Sequence, residues 1–347
     1  MTTYFCLSDP KATTAARWVN KYNIPAENIH VLDTEPQHQN FIHSVSKYIK
    51  FNHHLSYETV PDMIDYAVIN PPFKGNEHLE HLLTVAAKAR NVVCIHPAGW
   101  LFRNTKEIER KVKKEIGNRV KSLTICNGNT KFTNHEFQTP CVITELGEPH
   151  NNGFTLRYDK ELSACYTGEE FHCSSFDDIP RGLWEPTENH NNLIQKYESL
   201  TQTSSLFDRR VRNGGNYKYY VSTPNLCGDG RSKDSTKLVK DDFFTFFYSV
   251  SSLKKRDNSG SILYCNSSDE VDNLISYLST KIARFGLSIN KVSVNLPVSS
   301  YWKNVPLPPL NRSWDDNSLC EYYNITEEEF DYINKFIPDF YDEKKLT

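Results

Sequence analysis

The sequence has no long apolar run: nothing in its 347 residues approaches the roughly 18 consecutive apolar residues a membrane-spanning helix needs, so no membrane partner is expected. It has little at its start that looks like a leader, because MTTYFCLSDPKATT carries no basic stretch followed by an apolar one. It has no CxxC pair; its nine cysteines are odd in number and scattered, which excludes a zinc ribbon or a thioredoxin-type centre. Cys6, Cys94 and Cys141 sit inside apolar runs, where cysteine acts as a small hydrophobe, and a reducing, cytoplasmic location is the simplest expectation. Charge of one sign is not in excess, with 40 Lys and Arg against 43 Asp and Glu. That balance excludes a chain coated in positive charge but leaves room for one basic face. The closest spacing to a metal site is His78-Leu79-Glu80-His81 with His96 beyond it, which reads as two surface-leaning histidines on a helix, and no metal is expected.

What is present is a core-forming composition, 38% hydrophobic and 24% charged, on a length that predicts two domains. The first half alternates short apolar strands with amphipathic helices. Strands are expected at 3–8, 29–32, near 54–57, 65–69, 91–95, 120–126 and 140–146. Helices are expected at 11–22, 39–49, 77–89 and 105–116. Such alternation predicts an α/β, Rossmann-like, largely parallel sheet with helices on both faces, over residues 1–150. Ligands of these sheets bind beyond the carboxyl ends of the strands, which directs attention to Asp9, Asp33, Asn70 and His96.

Asn70-Pro71-Pro72-Phe73 closes the most apolar of these strands. A double proline continues neither strand nor helix and leaves its carbonyls without an element partner. Pro71 also restricts Asn70, so the amide side chain and the adjacent carbonyl form two acceptors suited to an amino group. Phe73 offers a ring face on which a planar base stacks. The same four residues also serve a plain rigid turn, with Phe73 in the core.

The run Asp65-Tyr66-Ala67-Val68-Ile69-Asn70-Pro71-Pro72-Phe73 resembles the catalytic motif of S-adenosylmethionine-dependent amino-methyltransferases, chiefly the adenine-N6 DNA methyltransferases of restriction–modification systems and phages. Asp33-Thr34-Glu35-Pro36 is similar to the acidic turn that binds the donor ribose in that family, and Val92 through Leu101 to its following strand and loop. Tyr301 through Leu307, Trp314-Asp315-Asp316, Tyr322 through Glu329 and Tyr332-Ile333 resemble its C-terminal tail. The likeness covers the first 150 residues and the last 45 or so, and the Asn-Pro-Pro-Phe motif is its specific part. It implies that Asn70, Pro71, Pro72 and Phe73 are catalytic, and that Asp9, Pro10, Ala12, Thr13, Asp33 and Thr34 hold S-adenosylmethionine. The family pattern Asp-Pro-x-x-Gly-x-Gly is broken here, because Asp9-Pro10 is followed by Thr13 and Ala15 where the glycines should stand. A β-branched Thr at a positive φ is unfavourable and could fill donor space. Asp9-Pro10 also suits a plain helix start, with Asp9 as cap and Pro10 at the first position.

From Asn151 the alternation stops, and clear strand patterns remain only at Phe243–Val250 and Ser261–Cys265. Residues 196–256 hold twelve Lys and Arg against six Asp and Glu, in a chain slightly acidic overall. The clusters Arg209-Arg210-Val211-Arg212 with Lys218, Lys233 to Lys240, and Lys254-Lys255-Arg256 are interleaved with Tyr and Asn, as phosphate and base contacts require. Residues 151–310 are therefore expected to be a mixed α+β target-recognition domain for double-stranded DNA, with Lys281 and Arg284 as further contacts. Residues 311–347 form a helical tail whose last helix starts at Thr326 with a capping box to Glu329. The expected activity is sequence-specific methyl transfer to adenine N6 in a flipped base. The altered donor turn favours the alternative of an inactive DNA-binding or partner-binding subunit. RNA or a protein glutamine amide is the remaining substrate choice.

Overall fold

The computed structural model describes residues 2–7, 12–33, 36–126, 128, 140–159, 168–180, 187–210, 219–223, 261–289 and 301–337. These fall into two compact units. The first carries β1 (Tyr4–Leu7), α1 (Thr13–Tyr22), β2 (Ile29–Leu32), α2 (Pro36–Ile49), β3 (Asn52–His54), β4 (Ile64–Ile69), α3 (Glu77–Lys88), β5 (Ala89–Pro97), α4 (Glu107–Ile116), β6 (Val120–Cys126) and β7 (Cys141–Leu146). Two strands that the loss of alternation concealed, β8 (Phe154–Tyr158) and β9 (Phe171–Cys173), add to the same sheet. The spatial order is β3-β2-β1-β4-β5-β7-β6-β8-β9, and every strand but β7 and β9 runs in one direction. This is an α/β, Rossmann-like sheet. The chain winds outward from β1 to β3 and returns to β4, which places a switch point between β1 and β4.

Each face of the sheet has its own helices. Tyr4, Cys6, Ile29 and Val31 point to α1 and α2, meeting Ala15, Trp18, Val19, Ile42 and Val45 in one core cluster. The opposite face takes α3, which buries Leu79, Leu82 and Val85 at about 1.5–3 kcal/mol for each large side chain. The Arg119 guanidinium fastens the far end by donating to the carbonyls of Ala86, Ala89, Arg90 and Gly147. The α1–α2 face is open at β4 and β5, where Tyr66 and Val93 remain exposed.

The second unit holds α5 (Glu188–Thr201), β10 (Tyr219–Thr223), β11 (Ser261–Cys265), α6 (Ser268–Leu278), α7 (Lys281–Ser288), α8 (Asp316–Tyr323) and α9 (Glu327–Phe336). Strands β10 and β11 pair antiparallel. The helix expected over 269–284 is broken in two. Thr280 caps α7 by accepting from the Ala283 amide at 3.2 Å, and the Asp316 carboxylate accepts from the Lys281 and Ile282 amides at 3.1 and 3.0 Å. The apolar stripe runs through the break, which is why its period hid it. Tyr197, Tyr277, Phe285 and Trp302 fill the core, with the Tyr197 hydroxyl donating to the Ile282 carbonyl at 2.8 Å. The capping box at α9 forms as its spacing predicts, through Thr326 and Glu329. Phe243–Val250 lies outside the described residues.

Candidate active site at the carboxyl edge of the sheet

Three neighbouring parallel strands end level. Leu7 of β1 pairs with Leu32 of β2 on one side and with Ile69 of β4 on the other. Asp33 and Asn70 therefore stand one residue above the same rung, two strand spacings or about 10 Å apart. The Asn70 amide donates to the Leu7 carbonyl at 3.2 Å, so its backbone is still held by the sheet when the prolines turn the chain away. Pro71 is buried, while Asn70, Pro72 and Phe73 are part-exposed. The Asn70 side-chain amide takes no hydrogen bond from any described residue. Gly75, at φ 58, makes the left-handed turn that leads into α3. β5 pairs Cys94 with Ile69 and runs on to Pro97, forming a taller wall beside the turn.

The donor-turn residues divide differently from the sequence pattern. The residue in the left-handed conformation is Ala12, at φ 50, and Thr13 is already the first, exposed residue of α1. Ala12 is fully buried in the core cluster with Cys6, Ala15, Ile29 and Val31. The side chain that a glycine would lack thus packs into the core, at a backbone cost of about 1 kcal/mol. The cap position of α1 is held by Ala12, three residues beyond the expected cap. Asp9, Pro10 and Thr34 lie outside the described residues.

Asp33 is fully buried, with its Oδ1 3.3 Å from His38 Nδ1 and its backbone carbonyl accepting from Gln39 Nε2 at 3.2 Å. Pro36 opens α2 one turn earlier than expected, and proline suits the first helical position. A buried carboxylate beside a helix start is an acceptor suited to hydroxyl groups, and His38, 32% exposed, lies against one of its oxygens.

The histidines of α3 are turned inward, against the surface placement expected for them. His81 Nδ1 lies 2.8 Å from the Tyr57 hydroxyl, and His78 is buried against His96. A helix pattern that counts histidine as polar assigns them to the wrong side. Burial pushes the His78 imidazole down to about 4 and His96 well below its usual range, with each ring also lowered by a neighbouring cation or imidazole. Among the described residues no group of three or more His, Cys, Asp or Glu side chains is arranged to hold a metal ion, and no helix is long and apolar enough to cross a membrane.

No family model matches the chain, and no curated protein matches it by sequence. Solved structures do resemble it. The methyltransferase subunit of a type I restriction–modification system from Streptococcus thermophilus is 11% identical, with 49% of this chain and 45% of that one covered and a TM-score of 0.38. The M protein of the type I restriction enzyme EcoKI is 9% identical over 45% of this chain and 44% of that one, at a TM-score of 0.35. TrmK of M. capricolum, solved with S-adenosyl-homocysteine, is 11% identical over 61% and 83%, at a TM-score of 0.32. The match spans less than half the length of either restriction-system protein. Identities and scores this low carry no residue's role across.

Of the basic residues singled out for DNA, Arg209 and Arg210 are described, whereas Arg212, Lys218, Lys254, Lys255 and Arg256 are not. Arg209 donates to both carboxylate oxygens of Glu270, at 3.1 and 3.5 Å, and lies over the Tyr264 ring. A phosphate would have to compete with that carboxylate. Arg210, part-exposed, bridges to Leu263. Arg284 is 1% exposed, so it is core and not a surface contact, and the Lys281 ammonium donates to Asn334. A partner 61 residues away leaves no trace in local sequence, which is why Arg209 reads as free until the fold is seen.

Proposed function

We propose that this chain is a DNA methyltransferase that acts on the N6 amino group of an adenine flipped out of the duplex. The observation that carries the proposal is the convergence above one rung: Asp33 beyond β2, the left-handed Ala12 beyond β1, and Asn70 heading the Pro-Pro-Phe turn beyond β4. Residues 1–150, which carry these strand ends, perform transfer; beyond β8 and β9, which complete the sheet, the chain up to residue 310 recognises the duplex, and residues 311–347 form the tail.

The residues present fit the methyl donor. Asp33 holds the ribose hydroxyls, and Ala12 and Thr13, with Asp9, Pro10 and Thr34, shape the surrounding pocket. The Ala12 side chain packs into the core cluster with Cys6, Ala15, Ile29 and Val31. S-adenosylmethionine, when bound, supplies an electrophilic methyl group.

The chain's own work is to hold the acceptor. The Asn70 side-chain oxygen and the Pro71 carbonyl accept from the two hydrogens of the amino group, and Phe73 stacks on the base. With both hydrogens held, the nitrogen lone pair is turned out of the ring's conjugation and becomes nucleophilic. Such catalysis draws on orientation and on placed acceptors, without a covalent enzyme intermediate. Stacking on an aromatic ring contributes about 1–3 kcal/mol.

The test is to incubate the chain with labelled S-adenosylmethionine and a pool of duplex sequences, then separate the nucleosides. Label in N6-methyladenine supports the proposal, and label in N4-methylcytosine or in no nucleoside contradicts it. Duplex binding with no label in any nucleoside is the outcome for the second reading, an inactive DNA-binding or partner-binding subunit without donor affinity, which the missing glycines favour. For the duplex contact, Arg210→Ala with Arg212→Ala should lower the slope of log affinity against log salt by about 1 to 2. An unchanged slope would remove this cluster from the phosphate contacts.

A further inference from the structure

Three buried heterocycles lie together in the sheet unit, and nothing proposed above uses them. His78 is in the first turn of α3, His96 is next to last in β5, and Trp100 is in the short turn that follows. They are 6%, 0% and 3% exposed. The rings of His78 and His96 are 5.6 Å apart, and those of His96 and Trp100 are stacked at 5.5 Å. His96 Nε2 meets the Thr144 hydroxyl at 2.9 Å, which ties the stack to β7. Its Nδ1, like Trp100 Nε1, is buried with no hydrogen-bond partner among the described residues.

Packing does not ask for these nitrogens. An unmade buried hydrogen bond costs about 1–3 kcal/mol, and phenylalanine would fill the Trp100 place without it. The stack also joins the two loops that flank the candidate site. The Gly75 backbone, which ends the Asn70–Phe73 turn, faces the His78 ring. Trp100 begins the loop after β5, and the Lys113 ammonium holds that loop by donating to the Leu101 and Arg103 carbonyls at 2.8 and 2.9 Å. Lys106 Nζ ties the loops directly by donating to Asn76 Oδ1 at 2.9 Å. In the tautomer in which the Thr144 hydroxyl donates to Nε2, His96 Nδ1 carries the proton and is a donor, as the indole Nε1 always is. The turn also carries the Asn70 and Pro72 carbonyls, distinct from the Pro71 carbonyl given to the amino group above.

We infer that His96 and Trp100 are positioning residues: their two donors engage backbone carbonyls of the flanking loops when a planar base enters, and so couple base entry to the shape of the Asn70–Phe73 turn. This rests on the methyl-transfer proposal above and adds to it how the turn is set.

The experiment compares the full-length chain with Trp100→Phe, His96→Phe and His96→Asn, the last keeping a donor near the Nδ1 position. Hydrogen exchange of 70–76 and 97–103 is followed with and without a pool of duplexes, beside kcat, KM for DNA and thermal midpoint. In the unaltered chain, DNA should slow exchange in both loops. Trp100→Phe and His96→Phe should lose that slowing and about tenfold in kcat. KM should stay unchanged, the Trp100→Phe midpoint should not fall while His96→Phe loses the stability of its Thr144 bond, and His96→Asn should recover activity. Loops that DNA fails to protect in the unaltered chain overturn the inference whether or not transfer occurs. Protected loops with full kcat in both Phe variants overturn it too, and leave methyl transfer standing. A chain that protects its loops yet methylates nothing contradicts the methyl-transfer proposal, and the loss of protection in Trp100→Phe then decides the coupling by itself.

Discussion

The two halves of the sheet's carboxyl edge are built on opposite terms. On the donor side, β1 and β2 lead into helices whose starts are irregular: a left-handed alanine sits before α1, and a buried aspartate lies against His38 ahead of α2. On the side proposed for the acceptor, β4 ends in a double proline, the rings of His78, His96 and Trp100 are packed together, and Lys106 donates to Asn76. Under the proposed assignment, the β1 side has a left-handed alanine near where the resembled pattern has glycine, whereas the β4 side carries the Asn-Pro-Pro-Phe motif unaltered. A small ligand bound through backbone and one carboxylate tolerates the first kind of change. An amino group gripped by two acceptors does not tolerate the loss of either.

That difference sets the expected order of effects. Asn70→Ala should lower kcat by about a hundredfold to a thousandfold with donor and duplex affinity retained, since it removes one placed acceptor. Equal turnover in the variant would break the comparison at once. Next, Asp33→Asn should weaken donor binding by about 1.5–3 kcal/mol and leave duplex affinity alone, as calorimetry with each ligand would show. Loss of duplex affinity in its place would mean that Asp33 has another task.

Smaller is the response to acid. His78 and His96 are neutral when folded, with His78 pushed down to about 4 from the ordinary 6.5. Below 6.5 the unfolded chain takes up protons that the folded chain refuses. Stability from these groups is therefore complete above that value and falls as the pH drops toward 4, by at most about 1.4 kcal/mol per histidine per pH unit. Chemical denaturation at several pH values measures it, and a flat profile would show that these rings are protonated in the fold. Least is expected of Ala12→Gly. Relief of about 1 kcal/mol at a positive φ is offset by about 0.8 kcal/mol of lost methyl burial, so the denaturation midpoint should hardly move. A large drop in stability would mean the alanine anchors the turn more strongly than burial alone explains.

Much of the sheet was legible because its strands are short apolar runs and its helices carry apolar stripes; 29–32, 65–69 and 120–126 stand within a residue of where their patterns put them. The missed features share a cause. β8 and β9 are short strands in polar surroundings that join the sheet only through distant partners. The break between α6 and α7 is imposed by Asp316, some thirty residues downstream. Ala12 gives no warning of a left-handed backbone, since the sequence signal for that conformation is glycine. Of the candidate site, the Asn70–Phe73 turn and Asp33 were readable as strand ends, while the inward histidines and the Arg209–Glu270 pair required the fold.

The central claim is that these unlike halves form one methyl-transfer site, and titration calorimetry with S-adenosylmethionine tests it most directly, without and then with duplex DNA. The account predicts donor binding in the micromolar range that Asp33→Asn weakens and Ala12→Gly preserves. Absence of heat in both conditions, with duplex DNA still bound, would contradict it.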